Sequence, residues 1–367
     1  MTAKQTGVAS PSAGPPQAGQ HPLGGSMKVP FQRGAASPSA GTPQAGRHPL
    51  GGSMKVPFQR GAALLTAMII VTLIASLASA MVWRQYRAVQ IEAAERARTQ
   101  ATWILQGALD WARLILREDA RSNQSEPVDH LGEVWAVPLA EARLSTFLAA
   151  DRGNADDGPE AFLSGSLTDA QAQYNLRNLL AGDKLPLAEQ HTLERLCESA
   201  GAPPGTAALI ASKLRAAFAS TPDAASASLQ PKNLDQLTWL GLTPDTIGRL
   251  RPLLTLLPMP TPVNLNTAPR EVIAALFDGL DLASAERLVQ ARQSAPLRNL
   301  QDTKSYFPTT VVVSSERASV TSSFFIVGGR LRLEERVLEV HSLVQRRGME
   351  MVVLDRQRVS QVLAPTR

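Results

Sequence analysis

The chain has 367 residues, 44% hydrophobic and 19% charged, enough for one large domain or two ordinary ones. Its formal net charge of +5 is local: Lys4, Lys28, Arg33, Arg47, Lys55 and Arg60 lie in the first 61 residues with no acid among them, leaving 31 basic against 32 acidic residues. This excludes a uniformly basic nucleic-acid-binding body, and the single cysteine, Cys197, excludes an intrachain disulfide framework. At helical spacing from Leu193, Cys197 reads as a small core residue.

Residues 9–36 recur at 36–63, differing only at Pro15/Thr42 and Gln20/Arg47. The Ser, Pro, Ala and Gly of residues 1–53 cannot bury a core, and the composition predicts disorder there. Both copies end M-K-V-P-F-Q-R-G-A-A, but only the second, Met54–Ala63, runs into an apolar segment. Met54 is therefore the expected working start, with 1–53 a dispensable extension.

Ala62–Val82 is 21 residues without a charge; as a helix it is about 31 Å long, the thickness of a bilayer core. Ala78-Ser79-Ala80 mimics the cleavage site of a secretory signal peptide. No Gly or Pro break follows, however, and Ala-, Glu-, Arg- and Gln-rich sequence continues the helix to about Arg117.

This N-terminus resembles those of type IV prepilin-like proteins: basic Lys55 and Arg60, then Gly61, then Ala62-Ala63-Leu64-Leu65-Thr66 opening an apolar helix. The resemblance implies cleavage between Gly61 and Ala62 by a prepilin peptidase on the cytoplasmic side, methylation of the Ala62 amine, and a single inner-membrane span with a periplasmic body. Arg84 and Arg87 beyond the span blur the charge asymmetry that sets such an orientation. Most pilins carry Glu at the fifth mature position, where it pairs with a neighbour's terminal amine; here it is Thr66. The absence of that Glu is a feature of the K pseudopilins of type II secretion. The plainer alternative is a simple membrane anchor.

Glu126–Leu139 (E-P-V-D-H-L-G-E-V-W-A-V-P-L) resembles the D-x-L-x-E-x-W-A segment of that family, with Trp135 a packing anchor. Residues 151–158, D-R-G-N-A-D-D-G, place oxygen ligands beside Gly turns; Asp151, Asp156 and Asp157 are candidate Ca²⁺ ligands, although the spacing is not that of an EF-hand. A solvated acidic loop is the alternative. The resemblance implies a structural calcium without assigning its ligands. Leu163–Leu180 begins with edge-strand alternation and then resembles a K-family signature at Asp169–Leu179. Tyr174, Leu176 and Leu179 read there as core, and Asn175 and Asn178 as partners of buried backbone at a domain junction.

From about Pro186 to Asp302 the pattern is helical, with two hairpin units. The first spans Leu234–Leu257, with Thr243 and Pro244 as N-cap and N1 of its second helix. The second spans Val263–Arg292, with Asn266 or Thr267 as cap and Pro269 in the first turn. Helix-hairpin-helix modules bind DNA phosphates through turn N–H groups, which makes a membrane-anchored DNA receptor the alternative function. Asp278 and Asp281 at the second turn oppose it, and no nucleic acid is expected. The C-terminal stretches Ser322–Leu333, Arg336–Gln345 and Met349–Arg356 read as an antiparallel meander, with a bulge at Gly328-Gly329 and turns at Glu334-Glu335 and Arg347-Gly348.

The expected fold is α+β: a pilin-like long N-terminal helix packed on a small antiparallel sheet, with a large inserted all-α domain containing helix-hairpin-helix-like units. Its parts are the extension 1–53, leader 54–61, transmembrane helix 62–82, core 83–185, helical insert 186–305 and C-terminal sheet 306–367. No H-x-x-x-H, C-x-x-C, G-x-S-x-G or Gly-rich phosphate loop is present, so no enzyme is expected. The resemblance is to type II secretion minor pseudopilins of the K family. It implies a subunit at the pseudopilus tip, initiating or capping assembly and supporting export of folded proteins across the outer membrane. Its implied partners are I- and J-type minor pseudopilins and the major pseudopilin.

Overall fold

A computed structural model describes residues 60–124, 127–144, 161–182, 184–219, 229–333 and 336–362. The chain divides into two units, Met1–Ile74 and Ala75–Arg367. The described residues of the first unit are all helical and belong to α1 (Arg60–Ser122). In this apolar stretch the Thr72 hydroxyl donates to the carbonyl of Ile69 at 2.9 Å, so the side chain is satisfied without water. Among the described residues, α1 is the one helix long and apolar enough to cross a membrane, and none of its most apolar window is buried.

In the second unit α1 continues to Ser122, five residues past the expected end. Ala101, Leu105, Leu109, Ala112 and Leu116 recur at helical spacing and are buried. They pack on a five-stranded sheet. In chain order follow β1 (Leu139–Arg143), β2 (Ala161–Asp169), the short β3 (Tyr174–Asn175), α2 (Leu187–Ser199), α3 (Thr206–Ala217), α4 (Pro244–Leu250) and β4 (Leu254–Thr255). Then come β5 (Val263–Asn264), α5 (Arg270–Leu276), α6 (Leu282–Ser294), β6 (Ala318–Ser319), β7 (Phe324–Leu333), β8 (Arg336–Arg347) and β9 (Glu350–Val362). The large sheet has the order β1-β2-β7-β8-β9, all antiparallel. It is the expected meander of β7, β8 and β9 extended by two earlier strands. β2 is therefore interior, not the edge strand its alternation suggested, because β1 covers it.

The helical residues are spliced between neighbouring strands of this sheet: β2 ends at Asp169, whose register partner is Phe325 at the start of β7. The insert has its own apolar core, with Leu193, Leu196, Cys197, Ile210, Leu214, Leu254, Val272, Ile273 and Leu288 in one buried cluster. Tyr174, Leu176 and Leu179 are part of it, as expected. The Tyr174 hydroxyl donates to Glu189 Oε2 at 2.8 Å, and Arg317 Nε donates to Glu189 Oε1 at 3.0 Å.

Several local expectations are corrected. The pair Gly328-Gly329 forms no bulge: β7 runs in unbroken register against both neighbours. The irregularity falls in β9, between the partners of Leu343 and Val344. The glycines instead clear space, since a Cβ on Gly329 would stand 3.1 Å from Leu105 Cδ2 of α1 and one on Gly165 would stand 3.2 Å from the Gly328 carbonyl. Leu234–Leu240 is a 3₁₀ helix, closed by Gly241 at φ 97°. Thr243 and Pro244 cap and open α4 as expected, but α5 has Pro269 at its N-cap with no side-chain cap. Asn266 and Thr267 do not cap α5; both are drawn into buried polar contacts. The turn before β9 falls at Gly348, at φ 59°, while Glu334 and Glu335 lie outside the described residues.

Candidate functional site

Two places carry the functional expectations. The first is the start of α1. Gly61 and Ala62 lie in its first turn, and the Thr66 hydroxyl donates back to the carbonyls of Ala62 and Ala63, each at 3.0 Å. The hydroxyl is thus satisfied by its own helix. Thr66 carries no charge to set against a partner's amine, whereas a glutamate there would.

The second is the seam where the insert leaves and rejoins the sheet. Asp169, at the end of β2, is buried among donors: Gln171 N at 2.7 Å, Asn264 Nδ2 at 3.0 Å, Thr267 Oγ1 at 2.5 Å and Ser322 Oγ at 2.6 Å. Asn264 also donates to the Asp129 carbonyl and to Ser322 Oγ, each at 3.0 Å. Two further asparagines clamp the segment before β5. Asn175 donates to the Met259 carbonyl at 2.8 Å and accepts from Leu257 N at 3.1 Å. Asn178 both donates to the carbonyl and accepts from the N–H of Thr261, at 3.0 Å each way. This is the role expected of both residues. Burial pushes the Asp169 carboxyl up to about 6, although Ser322, Thr267 and Gln171 donate to it and pull the other way.

Next to this seam the loop after α1 brings together Asp119, Asp129 and Glu133, each offering an oxygen within 4.8 Å of the others. Arg346 of β8 pairs with Asp119 at 3.0 Å and also with Asp129. Ser322 N donates to Asp129 Oδ2 at 2.7 Å. Glu133 accepts from His130 N at 2.9 Å and from Trp135 Nε1 at 2.7 Å. Trp135 itself is buried and meets Phe325 edge-on, with centroids 5.3 Å apart, so it is the packing anchor expected. Burial, with Glu133 and Asp129 close by, pushes Asp119 up to about 7 against the pull of Arg346. Burial also raises Asp129.

Asp151, Asp156 and Asp157, the candidate calcium ligands, lie outside the described residues. The Asp119–Asp129–Glu133 group suits the implied cation: its donors are all hard oxygens, and three carboxylates face one guanidinium. Asp129 Oδ1 is buried without a hydrogen-bond partner. Sequence reasoning missed this group. Asp129 and Glu133 stood in the motif around Trp135, but Asp119 reads as one more acid on a charged helix, and only folding sets it beside them.

At the second hairpin turn Asp278 pairs with Arg195 at 2.6 Å, and Asp281 caps α6 by accepting from Ser284 N at 2.6 Å. Both carboxylates add negative charge to this turn.

The family model for type II secretion system (T2SS) protein K matches residues 263–312, from β5 through α6 and beyond. The type II secretion system protein K of Pseudomonas aeruginosa PAO1 is 27% identical over 306 residues, covering 77% of this chain and 88% of that protein. Its counterpart from Klebsiella pneumoniae is 29% identical over 333 residues, covering 80% and 95%. The chain is similar over most of its length to these two type II secretion system K proteins. The fold is similar to that of a chain in the crystal structure of the GspK–GspI–GspJ complex of the enterotoxigenic Escherichia coli type 2 secretion system. There the TM-score is 0.52 at 22% identity, covering 72% of this chain and 98% of that one. The matched family region contains Asn264, Asn266 and Thr267, so the K-family segment supplies the insert's side of the buried seam.

Proposed function

We propose that this protein is a minor pseudopilin at the tip of the type II secretion pseudopilus, where it initiates or caps assembly and supports export of folded proteins across the outer membrane. The observation that carries this reading is Thr66. A subunit within a helical stack buries its terminal amine in lipid, and a neighbour's carboxylate at the fifth position offsets it. With its hydroxyl bonded to Ala62 and Ala63, Thr66 offers no such carboxylate, yet the Ala62 amine is still available to a Glu-bearing partner. A contact of this kind works on one side only, which suits an end subunit.

In this reading prepilin peptidase cleaves between Gly61 and Ala62 and the new amine is methylated. α1 anchors the chain in the inner membrane, with residues 83–367 on the periplasmic side. Its partners are I- and J-type minor pseudopilins, as in the GspK–GspI–GspJ complex, together with the major pseudopilin. The DNA-receptor alternative is disfavoured by the carboxylates engaged at the second hairpin turn and by the sheet β7–β9, which such a receptor does not need. A Ca²⁺, where bound, would be held by Asp119, Asp129 and Glu133 and would supply charge compensation to a crowded acidic seam.

The test is co-purification of residues 84–367 with I- and J-type pseudopilins from the same operon. A stable ternary complex is expected. A chain that elutes alone from every such mixture, or that retards DNA with a steep salt dependence, would overturn the reading.

A further inference from the structure

One sequence feature is not used by the anchor or the fold: Arg84 and Arg87 lie just beyond the apolar run, on the side that should be poor in basic residues. On a helix rising about 1.5 Å per residue, Arg84 stands about 3 Å and Arg87 about 7.5 Å past Val82. The headgroup layer of a leaflet is about 5–7 Å deep, so both arginines fall within it or at its outer edge. Two amphipathic aromatics are interleaved with them, Trp83 at 60% exposure and Tyr86 at 64%, of the kind that settles at headgroup level. The Arg87 guanidinium lies 5.0 Å from the Trp83 ring centroid, a cation–π contact that holds the charge beside the indole. No acid occurs between Ala62 and Ile91. The first, Glu92, is about 15 Å past Val82, beyond the lipid, and is paired with Arg96.

Positive charge without acid, flanked by interfacial aromatics, is thus confined to the depth of lipid phosphates. We infer that Trp83, Arg84, Tyr86 and Arg87 form a collar that binds the headgroups of anionic phospholipids in the leaflet facing the globular part of the chain. The arginines supply charge to the phosphates, and the aromatics fix the depth at which they do so. The collar rests on the single-span reading of α1, and it gives the two arginines beyond the span a lipid ligand.

The full chain is reconstituted in nanodiscs of phosphatidylcholine with an equal part of phosphatidylglycerol, and lipid kept after mild delipidation is counted by native mass spectrometry. Wild type is expected to retain phosphatidylglycerol over phosphatidylcholine by roughly tenfold. The double variant Arg84→Gln/Arg87→Gln should bring that ratio to near parity while staying in the membrane after alkaline carbonate extraction, and Arg84→Lys/Arg87→Lys should keep most of it. Unchanged retention in the Gln variant overturns the inference. Loss of the wild-type preference on adding inorganic phosphate overturns it too, because the site would then be a general anion site. Carbonate release of the wild-type chain would instead overturn the membrane span on which the collar rests.

Discussion

Asn264, in the first strand of the insert's second hairpin unit, donates to Oδ2 of Asp169, the last residue of β2, at 3.0 Å. Through this bond the insert is tied to the rung from which it departs. The carboxylate is buried and its pKa is raised to about 6 from 3.8. The native state therefore holds a proton that the unfolded chain releases at lower pH. Its stabilising contribution is fully present below about 3.8 and is lost as pH rises through about 6.

Asp169→Asn should accordingly be more destabilising at pH 4 than at pH 7, by up to about 3 kcal/mol for a shift of this size. Urea denaturation of wild type and variant at both pH values reads the difference directly. An equal penalty at the two values, or a larger one at pH 7, would contradict the assignment.

Asn175→Ala strips hydrogen bonds from the Met259 carbonyl and the buried Leu257 N–H, and Asn178→Ala strips two from the backbone of buried Thr261. Each should lower stability by about 1–3 kcal/mol, because the N–H of Leu257 and both backbone groups of Thr261 are left buried without partners. Far-UV and near-UV circular dichroism at low denaturant would show the fold retained with an earlier unfolding midpoint.

These asparagines also show what the sequence can and cannot carry. They were legible because they sit inside a motif with apolar residues at regular positions around them. The long helix and the β7–β9 meander were legible for the same reason: periodicity reports a buried face. The Asp169–Asn264–Thr267–Ser322 seam was not. Its members come from distant segments, and each taken alone reads as an ordinary turn or cap residue, as the mistaken cap assignment of Asn266 and Thr267 illustrates. Glycines mislead in a related way: Gly328-Gly329 suggested a bulge, whereas the crowding comes from other elements, Ser166 of β2 at Gly328 and Leu105 of α1 at Gly329.

Gly329→Val should therefore cost about 1–3 kcal/mol by forcing Leu105 out of its place, with Gly329→Ala nearer the lower end. Leu105→Ala should be much less harmful in the Gly329→Val background than in wild type, since the two changes share one space. Thermal melts of the four chains form a double-mutant cycle; simple additivity would show that the close approach is not what requires glycine.

Calcium should raise the melting temperature of residues 84–367, and chelation should reverse the rise. Asp129→Asn should abolish the response, because it removes charge from the cluster and alters the buried oxygen without a partner. A response that survives Asp129→Asn but is lost in Asp151→Asn/Asp156→Asn/Asp157→Asn would move the site to the acidic run.

Thr66→Glu should leave complexes of the soluble part unchanged, because its effect lies within the membrane helix. In overproduced, labelled pseudopili it should allow the protein to enter along the filament instead of at the end. Wild-type protein already spread along the whole length would remove the argument for an end position.

The pairing of Asp169 with Phe325 has a mechanical consequence. A pull applied along α1 passes into the strands packed on its apolar stripe. A segment joined to that frame at one register pair of two adjacent strands is in parallel with the force path, not in series with it. Tension between β2 and β7 is taken up by the hydrogen bonds that zip those strands together, and very little of it is drawn through the insert. The helical insert is therefore spared when the frame is pulled, and its outer surface can change in sequence without weakening the frame.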